Sequence, residues 1–147
     1  MRAFDTNLLV YAHRSESPFH QRAASALRAA AEGRAAWAIP WPCVHEFIGI
    51  VTNPKIVKTP TPLEAAIAQV DAWLSSPTLV MLSEEREGYW PLLTQLLRAG
   101  RIQGARVHDA RVAALARLHG VDELLTADRD FSRFSGLNVR NPLVEGP

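Results

Sequence analysis

The chain has 147 residues, 48% hydrophobic and 21% charged, which suits one soluble domain with a sizeable core. Its 16 basic and 15 acidic residues leave a formal net charge of +1, which excludes nucleic-acid binding through bulk positive charge. A single cysteine, Cys43, excludes an internal disulfide, and no apolar run approaches the roughly 20 residues of a membrane span.

The elements predicted in chain order alternate between strand and helix. Ala3-Phe4 is a short buried strand, with Asp5-Thr6-Asn7 turning at its carboxyl end and a short helix from Leu8 to Ala12. His20 to Glu32 has Ala23, Ala24, Leu27, Ala30 and Ala31 at helical spacing and ends at Gly33. Trp37-Ala38-Ile39 is a second strand, and Pro42 opens a helix to about Val51 that Asn53-Pro54 stops. Pro54 to Pro62 reads as a loop. Thr61 is then expected to cap a helix running to about Ser75, with Pro62 at its first position and Glu64 three residues on. Leu79 to Leu82 is a third strand. Ser83-Glu84-Glu85-Arg86 opens a helix to about Ala99, with Pro91 inside it as a possible kink. Val107 to His119 is a helix, Glu123 to Thr126 a strand, Phe131 to Phe134 a helical turn, and Leu137 to Arg140 a last strand.

This alternation predicts a single domain over residues 1–147, an α/β/α arrangement around a parallel sheet with helices on both faces. In such sheets ligands bind beyond the carboxyl ends of the strands. Asp5 and Asp128 each follow a strand there, and Glu46 and Asp109 each lie near a helix start, so all four could converge on one rim. Acids in such apolar or tightly turned settings are rarely buried unless paired or bound to metal. Oxygen-only ligands suit a hard ion such as Mg²⁺ or Mn²⁺. Each acid also has a plainer reading alone: Asp5 or Asp109 as a helix cap, Glu46 as a solvated flank, Asp128 and Asp130 as turn residues. Thr6 or Asn7 could cap the first helix without Asp5. Trp37 and Trp41, on either side of Pro40, are candidates to stack on bases, although such residues more often belong to a core or rim.

Taken together, Asp5-Thr6-Asn7 ending the first strand, Glu46 about 40 residues later, Asp109-Ala110 opening an Ala-rich helix and Thr126-Ala127-Asp128-Arg129-Asp130-Phe131 near the end resemble the PIN-domain family. The stretch from Ile39 to Pro54 is similar to one subgroup of its VapC-type toxin ribonucleases. The resemblance spans essentially the whole chain. It implies an α/β/α sandwich, a Mg²⁺- or Mn²⁺-dependent endoribonuclease and a cognate VapB-type antitoxin; a homodimer is expected besides, and a cytoplasmic location from the lack of a signal peptide or membrane span. It also implies that Asp5, Glu46, Asp109 and Asp128 form an acidic quartet, with Asp5 and Asp109 the principal metal ligands. Asp130 matches a further acid often found near the site, and Thr6 and Thr126 match supporting hydroxyls. A near-neutral chain must meet RNA through a local arginine patch. Arg14, Arg111 and Arg129 are the candidates, for a substrate such as a tRNA or another structured RNA.

Two other readings compete. A phosphatase of the haloacid dehalogenase type also begins with a strand-end aspartate, but needs a second Asp where Asn7 stands. A non-catalytic interaction module could use the same acids to hold a structural ion or to cap helices.

Overall fold

The computed structural model describes residues 1–144. Five short strands form one sheet: β1 (Arg2–Phe4), β2 (Trp37–Pro40), β3 (Leu79–Leu82), β4 (Glu123–Leu125) and β5 (Val139–Arg140). Every pairing is parallel and the order is β3-β2-β1-β4-β5. From β1 the chain steps outward through β2 to β3, then returns to the other side of β1 for β4 and β5. The carboxyl ends of β1 and β4 therefore flank the point where the winding direction reverses, and there a doubly wound sheet opens a crevice.

Helices α1 (Thr6–His13), α2 (His20–Glu32), α3 (Trp41–Val51), α4 (Leu63–Leu74), α5 (Tyr89–Gly100) and α6 (Val107–Leu118) form the crossovers. Strands buried on both faces need apolar residues throughout, and Trp37, Ala38, Ile39 and Pro40 are all buried. Phe4 packs edge-on against Trp37 at 5.7 Å, while the Trp37 indole N–H donates to Ser76 Oγ at 3.1 Å. Trp37 is thus a core residue. Trp41 is 37% exposed, its ring stacked over His45. In α6, Ala110, Ala113, Ala114 and Ala116 are fully buried, and these small side chains let the helix lie close on its neighbours.

Several boundaries differ from expectation, each for a local reason. Helix α1 starts at Thr6 rather than Leu8, because Asp5 itself is the N-cap and accepts from the Thr6 amide. Thr61 does not cap α4; Pro62 holds that position with no side-chain bond. The Thr61 hydroxyl faces His13 Nε2 at 3.0 Å and accepts from Arg14 at 3.1 Å, tying the loop to the end of α1. The helix expected from Ser83 begins only at Tyr89. Ser83 Oγ accepts from the Glu85 amide in a tight turn, and Gly88 at φ 91° breaks the chain direction. Pro91 consequently falls in the first turn of α5, where no intrahelical N–H is required, so it gives no cause for a kink. Gly33 ends α2 by close approach rather than by a left-handed turn: its φ is −76°, and a Cβ would lie 2.9 Å from the Ala29 carbonyl oxygen. Arg129–Arg133 is a 3-10 turn that starts two residues before the predicted one.

Among the described residues no helix is long and apolar enough to cross a membrane.

Candidate active site

Asp5 leaves β1 at the reversal point and is only 7% exposed. Its amide donates to the Leu125 carbonyl, so the ladder between β1 and β4 fixes its backbone. Both carboxylate oxygens are engaged. Oδ1 accepts from the Thr6 amide at 2.8 Å and from the Cys43 thiol at 3.6 Å. Oδ2 accepts from the Thr126 hydroxyl at 2.7 Å and from Asn7 Nδ2 at 3.3 Å. Burial pushes the Asp5 carboxyl up from its ordinary range, against the bonds from Thr126 and Thr6, and the charge of Glu46 adds to the rise. Burial and the Asp5 charge hold the Cys43 thiol well above its ordinary range, so it stays protonated and donates.

Thr126 follows β4 directly. Its hydroxyl donates to Asp5 and accepts from the Asp128 amide and from Asn7 Nδ2, each at 3.0 Å, which saturates it. Asn7 completes the link, accepting from the Ala127 amide at 3.1 Å. Asn7 and Thr126 therefore join the β1 turn to the β4 turn. In the sequence Asn7 stands out as a possible cap, as the missing second Asp of a phosphatase and as part of the Asp5-Thr6-Asn7 motif, with no bonding role attached to it. Its position in the Asp5-Thr6-Asn7 turn was the one signal of this role.

Asp128 accepts from the Asp130 amide at 2.9 Å and so caps the following 3-10 turn. Asp109 sits in the first turn of α6, half-buried. Its carboxyl is raised first by burial, then by the charges of Asp128 and Asp5, with a smaller push from Asp130. Glu46 stands exposed on α3, and its charge reaches Asp5. The four acids thus share one electrostatic neighbourhood, with Asp5 common to both sides of it.

They are not drawn into a closed cluster. Among the described residues no three His, Cys, Asp or Glu side chains stand where they could together hold a metal ion. The chemistry of the set still fits a hard divalent cation. The donors are carboxylate oxygens, two of them disfavoured as anions by burial and by one another, and a cation relieves that cost.

The remaining sequence candidates are placed unevenly. Thr6 is buried beside Asp5. Arg14 lies past the far end of α1 from Asp5, 11% exposed, with its guanidinium on Glu16 and Thr61. Arg111 pairs with Glu84. Arg129 is exposed next to Asp128. Asp130 is bonded to Arg106 at 2.5 Å and lies 3.8 Å from Arg133. Arg106, which also lowers the Asp109 carboxyl, drew no attention in the sequence.

Comparison with known proteins follows the same lines. The PIN domain pattern matches residues 3–137. Over 143 residues the chain is 34% identical to Ribonuclease VapC43 of Mycobacterium tuberculosis, covering 97% of this chain and 96% of that one. It is 30% identical over 139 residues to Ribonuclease VapC48 of the same organism, 95% of each chain. Among solved structures, VapBC2 from Rickettsia felis bound to a promoter DNA fragment superposes with a TM-score of 0.66 at 23% identity, over 95% of this chain and 97% of that one. Mycobacterium tuberculosis VapC20, a sarcin-ricin loop cleaving toxin, gives a TM-score of 0.66 at 17% identity, over 94% and 99%. At those identities the two structures bear on the fold alone.

Proposed function

The chain belongs to the PIN domain family, and on that footing we propose that it is the endoribonuclease toxin of a VapBC-type pair, with Asp5, Glu46, Asp109 and Asp128 as its catalytic acids. The observation that carries the reading is the β1–β4 junction, where a buried Asp5 is locked to Thr126 and Asn7 while its charge interacts with those of Glu46 and Asp109.

Asp5 and Asp109 would be the principal ligands of a Mg²⁺ or Mn²⁺ ion, supported by Glu46 and Asp128. When bound, the cation supplies the charge that keeps the carboxylates ionised and polarises water and phosphate oxygen. Thr126, Asn7 and the Thr6 amide fix the Asp5 rotamer so that its carboxylate needs no reorganisation during reaction. Asp128 is held by its bond to the Asp130 amide. Glu46, exposed on α3, is close enough for its charge to act on Asp5. Glu46 and Asp128 orient the attacking water and take up its proton. Water oxygen bonds to phosphorus as the bond to the 3′-oxygen breaks, and the departing 3′-oxygen takes a proton from solvent, leaving a 5′-phosphate and a 3′-hydroxyl.

The proposed partners are RNA, a VapB-type antitoxin and a second copy of the chain, in the cytoplasm. The relatives' names support the VapC-type assignment. Mapping of RNA 5′ ends after induction in cells tests the reading. Discrete 5′-phosphate ends should appear with the wild type and not with Asp5→Asn. Identical ends from the two would sink it.

A further inference from the structure

Asp130 raises a question that the catalytic quartet leaves open, since it follows Asp128 by two residues yet faces arginines. We propose that Asp130 is the anchor of a two-arginine phosphate clamp, formed by Arg106 and Arg133 on the lip of the acidic crevice, and not a ligand of that crevice. The inference rests on the ribonuclease reading and names how the same site would hold its substrate.

The geometry has three parts. Arg106 Nη2 donates to Asp130 Oδ2 at 2.5 Å, bridging the 3-10 turn that precedes α6 to the one that follows β4. Arg133 Nη2 approaches the other oxygen, Oδ1, at 3.8 Å from one turn further along. The three side chains are 40%, 44% and 48% exposed, so the cluster is open to solvent and to a ligand. Two guanidiniums on one carboxylate leave an excess positive charge. Each guanidinium has five N–H donors, so the bond to Asp130 leaves donors for a second acceptor. A planar fork held by a carboxylate on one edge is suited to bidentate binding of phosphate on another.

The position fits the task. Arg106 lies three residues before Asp109, and its charge acts on that carboxyl. Arg129, exposed, adds a further cation on the same turn. A crevice of four carboxylates repels a polyanion, so a chain of near-neutral net charge needs cations at the rim to seat one.

Two measurements on the purified chain test this. The first is anisotropy of a short fluorescein-labelled single-stranded RNA in EDTA across a salt series. Arg106→Gln and Arg133→Gln should each weaken binding by about tenfold and flatten the salt dependence by about one ion contact. Arg106→Lys should recover only part of the loss, because it keeps charge without the fork. The second is calorimetric titration with Mn²⁺ alone, in which Asp130→Asn should match the wild type and Asp109→Asn should not. These exposed side chains contribute little to stability, so the variants should fold. Wild-type RNA affinity in Arg106→Gln, or loss of Mn²⁺ binding in Asp130→Asn equal to that in Asp109→Asn, overturns the clamp. A wild type that binds RNA through these arginines but never cuts it supports the clamp and refutes the ribonuclease. A wild type that binds no RNA overturns the clamp, while the ribonuclease reading stands or falls separately on cleavage with Mg²⁺ or Mn²⁺.

Discussion

Asp5 does two jobs with one side chain. It caps α1 through the Thr6 amide, and it is the buried charge at the β1–β4 junction. Asparagine caps about as well as aspartate, so Asp5→Asn separates the two, keeping the cap while removing the charge. A pH prediction follows. Asp5 has a raised carboxyl in the folded chain, so between the ordinary carboxylate range and that raised value the folded state binds more protons than the unfolded one. Stability from this group is therefore present below the ordinary carboxylate range and is lost as pH rises through that window. In EDTA, the melting temperature of Asp5→Asn should rise relative to that of the wild type as pH increases through the window, and the gap should shrink on acidification as the wild-type carboxyl takes up its proton. Circular dichroism melts across pH check it; a gap independent of pH contradicts the assignment of a costly buried charge. The comparison between variants is the useful quantity, since Asp122, lowered by its bond to the amino terminus, titrates with the opposite sign in both.

At the scale of elements, much was legible where the cause is local. The four buried residues of β2, the Ala-rich repeat of α2 and the start of α3 beside Pro42 follow from patterns a few residues long. The misread boundaries have competing partners far away in sequence. Thr61 had every local mark of a cap but bonds to His13 and Arg14, 48 and 47 residues earlier. Ser83-Glu84-Glu85-Arg86 looks like a helix start, yet Glu84 turns to Arg111 and the Ser83 carbonyl to His119 Nε2. Gly88 then sets where α5 begins. Its φ of 91° is a conformation that side chains with a Cβ rarely adopt, although space is available next to Leu118. Gly88→Ala should cost about 1–2 kcal/mol through backbone strain alone, measured by urea unfolding; an unchanged midpoint contradicts that account of the turn.

For the whole molecule, the parallel α/β plan and the convergence of the acids on one rim could be argued from alternation and strand-end positions. Strand order could not, because the return of β4 to the side of β1 depends on crossovers of many residues. Yet that return makes the site: it brings Thr126 to Asp5 across 121 residues and lets Asn7 bond both. The arginine candidates show the same limit. Arg14 is near Asp5 in sequence but beyond the opposite end of α1, whereas Arg106 reaches Asp130 only through the fold.

The central claim is that the acids at this junction act as one cation-dependent centre that cuts RNA. The most direct measurement is RNA cleavage by the purified chain over a Mg²⁺ and Mn²⁺ titration, beside Asp5→Asn, Glu46→Gln, Asp109→Asn and Asp128→Asn variants verified as folded. The account predicts no cleavage in EDTA, cleavage with either ion, and losses of at least ~100-fold for Asp5→Asn and Asp109→Asn, above the 10–100-fold typical of supporting partners. Undiminished cleavage in EDTA, or a folded Asp5→Asn protein that cuts as fast as the wild type, would contradict it.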